Sequence, residues 1–312
     1  MNRVLRWLAA SFGYLLYTAM VLVLLLWVLL PTDSLRPWLE ARLNAASPGL
    51  RWEIKELHAA LPAGLVVIGM RLQEAGASED ELLQVSEMRI MPDLRGLIAT
   101  RKELPFRYQL KVADGALQGK AALLKDGSKL RCEGEAKNIQ LGGLATLWAR
   151  LDRNATGKLS GNYRFEGEWR DPYQGVFTAE LRVVEGSFTL QQPVFGLDQL
   201  EFGQLTGSLE LRERLLALNH GKVDSRLLAG EYSGSVTLAD PLQLSEVKID
   251  GTFEPRPELL SSLRNETTVT LIRKQLRDNK LSFSLNGTIL EPGIEFQGVS
   301  GVIDGIIQGG ER

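Results

Sequence analysis

The feature that most constrains this chain is a repeated strand pattern in which apolar and polar residues alternate and a glycine occupies one apolar position. A typical repeat runs Leu159-x-Gly161-x-Tyr163-x-Phe165. Side chains in a β-strand point alternately to the two faces of a sheet, so each repeat predicts a strand with one apolar and one polar face. We expect these strands to share a long, curved, mostly antiparallel sheet. The glycines of the repeats and of one related strand are Gly119, Gly134, Gly161, Gly207, Gly234, Gly251 and Gly287.

The apolar row of these strands is the candidate core or binding surface. A glycine weakens a strand, so its recurrence predicts a bend, a bulge or a close backbone approach at the same level of every strand. The sequence leaves open whether the row closes into a packed core or stays open as a groove. The row consists of Leu159, Tyr163, Phe165, Trp169, Leu205, Leu209, Leu211, Tyr232, Val236, Ile249, Phe253, Phe283 and Leu285.

The N-terminal region carries the pattern of a membrane anchor. Residues 7–30 contain no charged side chain, and a helix of that length rises about 36 Å, enough to cross a bilayer. Arg3 and Arg6 precede it, which predicts a cytoplasmic N-terminus. The alternative is a cleaved signal peptide, but the apolar stretch is longer than usual and no small-x-small site precedes Pro31. The anchor residues that we single out are Trp7, Tyr14, Tyr17, Trp27 and Leu30.

These patterns predict a single-pass membrane protein whose N-terminus is cytoplasmic and whose bulk lies across the membrane. We expect a mainly β fold with a few capping helices, an open groove or open barrel. A polar stretch at 152–157 is the most plausible internal boundary. The predicted segments are 1–6 cytoplasmic, 7–30 transmembrane, 31–49 juxtamembrane helix and linker, 50–297 periplasmic sheet, and 298–312 a loosely ordered tail.

Helical spacing interrupts the strand pattern in three places beyond the anchor. Residues 34–46 predict a helix whose apolar stripe packs on the sheet or lies on lipid headgroups; we favour the sheet. Residues 141–151 predict a helix that plugs one end of the sheet. Residues 255–276 predict an amphipathic stretch, which the β-branched run Thr267–Thr270 can break in two.

The charge and the residue types exclude several function classes. A net charge of -2 on 312 residues supplies no basic surface for nucleic acid. The two histidines, His58 and His220, belong to no metal-binding motif, and the one cysteine, Cys132, falls on the apolar row of its strand. We therefore predict no catalytic residues, no metal and no cofactor.

The layout of an uncharged anchor, a short helix and glycine-punctuated strands resembles the type II secretion system protein N family. The same strands occur in the wider group of AsmA-like envelope proteins, which are similar in having an N-terminal anchor and a periplasmic β-groove. The resemblance implies a bitopic inner-membrane protein of a Gram-negative bacterium, without catalytic residues to transfer. The segments that carry it are 30–35, 205–211, 228–234, 244–255 and 285–288.

The leading functional hypothesis is therefore a non-enzymatic accessory subunit of type II secretion. Its partners would be the membrane and other secretion-system subunits, which dock on the sheet's helices or add a strand to its edges. The alternative is a lipid-binding or lipid-transport protein whose apolar row holds phospholipid or acyl chains. An enzyme is the third hypothesis, and it would need a site on the polar face that the sequence does not reveal.

Overall fold

The computed structural model shows a mainly β protein, a long antiparallel open sheet with few helices. The chain forms two compact units, residues 1–110 and 111–312. The predicted boundary at 152–157 falls within the second unit's range and stays a prediction, and the tail 298–312 lies outside the described residues. The structure describes residues 14, 17, 18, 21, 32–46, 49–60, 64–74, 81–99, 102–124, 127–149, 153–168, 171–195, 197–262 and 266–296.

Twelve of the fourteen described strands are ten residues or longer. The helices beyond the anchor region are α1 (Thr32–Ala46), α2 (Leu94–Ala99), α3 (Ala145–Ala149), α4 (Pro257–Ser262) and α5 (Glu266–Gln275). The strands are β1 (Leu50–Ala60), β2 (Gly64–Glu74), β3 (Glu81–Pro92), β4 (Glu103–Val112), β5 (Gly115–Leu124), β6 (Lys129–Gln140), β7 (Ala155–Glu168), β8 (Val176–Val194), β9 (Leu197–Arg212), β10 (Leu215–Asp224), β11 (Leu228–Thr237), β12 (Glu246–Pro255), β13 (Leu281–Thr288) and β14 (Pro292–Phe296).

Within the first unit β1, β2 and β3 pair in chain order, and within the second unit β5 to β14 do the same. In the second unit, all pairs from β5–β6 to β13–β14 are antiparallel. Among the described strands, β1 and β14 are the edges. This is the simplest sheet topology, in which each strand turns back beside the one before it.

The register places the glycine-containing repeats on one face of the second unit's sheet. Because side chains alternate, a one-residue slip between any two strands would move an apolar row to the polar face. No such slip occurs: one row can be followed without interruption across ten strands, from β5 to β14. Its members are Gly119, Gly134, Tyr163, Ala179, Leu209, Leu218, Gly234, Ile249, Leu285 and Ile294.

The repeat glycines do not share one level of the sheet, which differs from the expectation. Gly119, Gly134 and Gly234 belong to the ten-strand row. Gly161 and Gly207 both pair with Leu181 in the next row. In the corresponding row of the later strands, Gly251 lies between Tyr232 and Phe283, while Gly287 pairs with Val247 on the far side of the first row. The glycines therefore occupy three neighbouring levels.

The sheet bulges in alternate strands at residues other than these glycines. The register shifts beside Asn138 in β6, Glu185 in β8 and His220 in β10. Each of the three residues has a left-handed backbone, with φ of 49°, 52° and 53°. A bulge adds one residue to a strand and increases the local twist. The three bulges keep the apolar row on the same face while the strands bend.

Side chains on the intervening strands fasten all three bulges. These bonds span neighbouring strands on the polar face, where the extra residue leaves backbone groups outside the regular ladder. Two of the three contacts are hydrogen bonds of a serine hydroxyl, and the third is an ion pair. The contacts are Asn138 N–H to Ser160 Oγ at 3.0 Å, Lys158 Nζ to Glu185 Oε2 at 2.7 Å, and Ser208 Oγ–H to Asn219 O at 3.0 Å.

The helices confirm the predicted regions but differ from the prediction in detail. The stretch 141–151 forms a 3₁₀ turn and the five-residue α3, and neither buries a residue. So short a helix offers no apolar stripe, and the described part of this segment does not plug the sheet. Thr267–Thr270 lies inside α5 and does not break that helix; residues 263–265, between α4 and α5, lie outside the described residues. Burial of Ile272 in α5 outweighs the slightly lower helix propensity of the β-branched run.

The repeat glycines allow close approach, but they do so to different degrees. A Cβ atom added at Gly234 would lie 2.1 Å from the carbonyl oxygen of Lys248, and one added at Gly161 would lie 2.1 Å from that of Glu180. The nearest such distance at Gly207 is 3.6 Å, an ordinary van der Waals contact. Neighbouring backbone therefore forbids a side chain at some repeats and tolerates one at others.

This difference gives a matched pair of substitutions. We expect Gly234→Ala to lower the free energy of unfolding by about 1–3 kcal/mol, since the methyl group must displace backbone. Gly207→Ala should change it by less than about 0.5 kcal/mol. Thermal unfolding of the full chain in detergent, followed by circular dichroism, measures both. Equal destabilisation by the two variants would contradict the close-approach interpretation.

Candidate functional site: the apolar face of the second unit

The predicted apolar row lies on one face of the second unit's sheet, and most of it is only half-buried. We call this surface the apolar face; it comprises the inward-facing side chains of β7 to β14. Leu211, Val236 and Phe253 are buried. Trp169 lies outside the described residues. The half-buried members are Leu159, Tyr163, Phe165, Leu205, Leu209, Tyr232, Ile249, Phe283 and Leu285.

The opposite face of the same strands is polar and laced with cross-strand ion pairs. Arg131 of β6 contacts Glu166 of β7 at 3.1 Å, and Arg164 contacts Glu133 at 3.3 Å. The hydrogen bond from Arg131, and next its charge, lower the pKa of Glu166. These exposed pairs contribute little to stability. Their side chains are more than half exposed, so this face of the sheet is the solvent-facing one.

An aromatic cluster closes the apolar face at the end where β11 and β13 begin. Phe195, in the turn between β8 and β9, lies 4.9 Å from Phe296 and 6.1 Å from Phe253, measured between ring centroids. Leu259 of α4 and Leu281 of β13 are each only 1% exposed beneath it. Aromatic pairs at these separations add to the stability that their buried area provides.

The contacts of Phe195 bring the turn between β8 and β9 against the last strands of the sheet. The strand that follows this turn, β9, is five strands away from β14 in the sheet, which would be about 24 Å on a flat surface. The short Phe195–Phe296 distance requires the sheet to coil or the turn to reach across it. Sequence reasoning missed Phe195, although an apolar Val194-Phe195 turn between two strands is itself the signal that a hairpin tip is covered.

A cavity of about 150 Å³ lies beside this cluster, and its exposed lining is wholly apolar. Tyr232 of the predicted row contributes to its wall. Burial raises the pKa of the Tyr232 phenol, whose hydroxyl donates to the carbonyl oxygen of Thr206 at 3.5 Å. The other lining residues include Leu190, Val194, Leu197, Leu200, Val223, Leu228 and Ile294.

A second, larger depression of about 600 Å³ lies near the β10 bulge and carries polar groups. Its charged residues are engaged in the sheet: Lys222 pairs with Glu231 at 3.3 Å, and Ser284 donates to Asp250 at 2.7 Å. His220 lines it but is exposed. Within the described ranges, no group of three or more His, Cys, Asp or Glu side chains could hold a metal ion.

The remaining predicted residues lie partly outside the described ranges. Trp7, Trp27 and Leu30 of the anchor are not among the described residues, whereas Tyr14 and Tyr17 are helical and exposed. No helix in the described part of the chain is long and apolar enough to cross a membrane. Cys132 is half-buried on the apolar row, paired in register with Ala121 and Phe165.

Comparison with known proteins adds no assignment to this geometry. The chain matches no protein-family model, no curated protein and no solved structure. The function of the apolar face is therefore inferred from its residues, their burial and the resemblance of the sequence to the protein N family.

Proposed function

We propose that this protein is a non-enzymatic accessory subunit of the type II secretion system. In this proposal residues 7–30 anchor it in the inner membrane of a Gram-negative cell, and the AsmA-like sheet lies in the periplasm. Its work is binding: the apolar face receives another chain or an apolar ligand. The resemblance of the anchor, the short helix and the glycine-punctuated strands to the protein N family supports the cellular role.

The half-burial of the apolar face is the observation that carries the binding function. Large contiguous apolar patches are rare on the surfaces of monomeric proteins, and they mark interaction sites where they occur. Removing such a patch from water stabilises a complex by roughly 25 cal/mol for each Å² buried. The first unit offers a contrast, because its central apolar residues Ile54, Val67, Met70, Leu82 and Val85 are buried.

Gene deletion tests the secretion role directly. We expect exported proteins to accumulate in the periplasm of the deletion strain while the phospholipid composition of the envelope stays unchanged. A gene encoding Leu200→Asn, which places an amide in the apolar cavity, should restore secretion poorly. Leu242→Asn, at an exposed leucine that does not line the cavity, is the matched control and should restore it. Normal secretion in the deletion strain would contradict the proposal.

A lipid-binding function is the second candidate, and the wholly apolar cavity favours it. The exposed lining of that cavity offers no polar surface, so it suits a hydrocarbon chain better than a peptide, whose backbone groups would lose hydrogen bonds there. A lipid carrier would hold the acyl chain along the half-buried row and leave its headgroup at the rim.

Photo-crosslinking distinguishes an acyl ligand from a protein partner. The full chain is placed in nanodiscs that contain a phospholipid with a diazirine in its acyl chain, irradiated and digested. A lipid carrier should give crosslinked peptides from β8 to β13, reduced severalfold in Leu200→Asn and unchanged in Leu242→Asn. Crosslinks confined to residues 7–30 would contradict lipid binding by the apolar face and leave the protein-docking function standing.

A further inference from the structure

Helix α1 covers the outer edge of β1 through side chains that bond to the strand's backbone. The N–H of Trp52 donates to Asn44 Oδ1 at 2.6 Å, and the N–H of Ile54 donates to Glu40 Oε1 at 2.8 Å. Arg36 Nη1 donates to the carbonyl oxygen of Lys55 at 3.1 Å. Two backbone N–H groups and one carbonyl near the middle of β1 are therefore bonded to one helix.

The three side chains are matched to the strand by the geometry of the two elements. Arg36, Glu40 and Asn44 are spaced by four residues, so they lie along one face of α1, about 6 Å apart. Outward-facing amides of a strand recur every second residue, about 6.6 Å apart. The two repeats match for Asn44 and Glu40, which accept from Trp52 and Ile54, whereas Arg36 reaches the carbonyl of the next residue, Lys55.

The opposite face of α1 takes no part in this contact. Trp38 is 57% exposed, and the Arg42 guanidinium lies 5.7 Å from the centre of its ring. The sequence predicts that the stripe containing Leu35, Trp38, Leu39 and Leu43 packs on the sheet. The three leucines are half-buried, as that prediction requires. Trp38 is mostly exposed, so the prediction is wrong for this residue.

One pair of charges on β1 is complementary to an antiparallel second copy of the strand, although Glu53 also contacts Arg51 of its own strand at 3.1 Å. Glu53 and Lys55 carry opposite charges two residues apart on the same face of the strand. If two copies of β1 paired antiparallel about Ile54, Glu53 of each copy would lie opposite Lys55 of the other. Cross-strand pairs of opposite charge stabilise a sheet, and exposed edges invite such pairing.

We propose that α1 is a built-in edge cap, and that the partner it excludes from β1 is a second copy of this chain. Chains anchored in one membrane would hold their β1 edges at a similar height, since β1 follows the predicted anchor by only twenty residues, which makes self-pairing the immediate hazard. Strand addition at β1, which the sequence predicts to be available, requires α1 to leave. The inference does not depend on what the apolar face binds.

The test removes the cap and keeps the helix. A variant with Arg36→Ala, Glu40→Ala and Asn44→Ala retains good helix formers, and Ser34→Ala with Arg42→Ala on the exposed face is its matched control. Hydrogen exchange of the full chain in nanodiscs is followed by mass spectrometry at residues 50–60. In discs that hold a single chain, where β1 cannot pair with a second copy, we expect the Trp52 and Ile54 amides to exchange about tenfold faster in the cap variant, with β2 and β3 unchanged, and wild-type exchange in the control.

The oligomeric state completes the test. Light scattering on the detergent-solubilised full chain should give a doubled protein mass for the cap variant and a monomer for the wild type and the control. Adding Lys55→Glu should weaken the dimer by placing like charges opposite one another, and adding Glu53→Lys as well should restore it. Unchanged exchange at β1, a cap variant that stays monomeric, or a dimer indifferent to these charges would overturn the proposal.

Discussion

Strand register is the constraint on which the rest of the structure depends. In a sheet whose side chains alternate, an apolar face exists only if every strand keeps the same phase as its neighbours. Ten strands of the second unit do so. Three bulges that could have shifted that phase instead preserve it, because each adds one left-handed residue that cross-strand side chains fasten in place.

A sheet whose strands share one register has a long apolar face and two edge strands, and both must be covered. The chain covers one end of the face with the Phe195 turn and with Leu259 of α4, and it covers the β1 edge with α1. Much of the row between remains half-buried. The proposed binding function rests on this incomplete burial more than on any individual residue.

The periodicity of the sequence predicts the mainly β fold, the antiparallel sheet and the shared face, because alternation is a local property of each strand. It predicts the α1 region for the same reason. It does not predict the bulges, since Asn138, Glu185 and His220 adopt left-handed conformations that neighbouring strands impose on them. Nor does it predict β14 or Phe195, whose places depend on contacts between residues distant in the chain. The sequence does not predict the edge cap either. Glu40 and Asn44 have the pattern of ordinary helix surface residues, and their contacts depend on the position of β1.

The central claim is that these rows lie together on one sheet face, and methyl-selective NMR tests it most directly. Val183, Leu205 and Val223 are register partners in three successive strands. In the full chain with labelled leucine and valine methyls, we expect nuclear Overhauser contacts from Leu205 to both valines, since such pairs lie about 5 Å apart at Cβ. The absence of those contacts, together with contacts from Leu205 to Val184 on the opposite face, would contradict it.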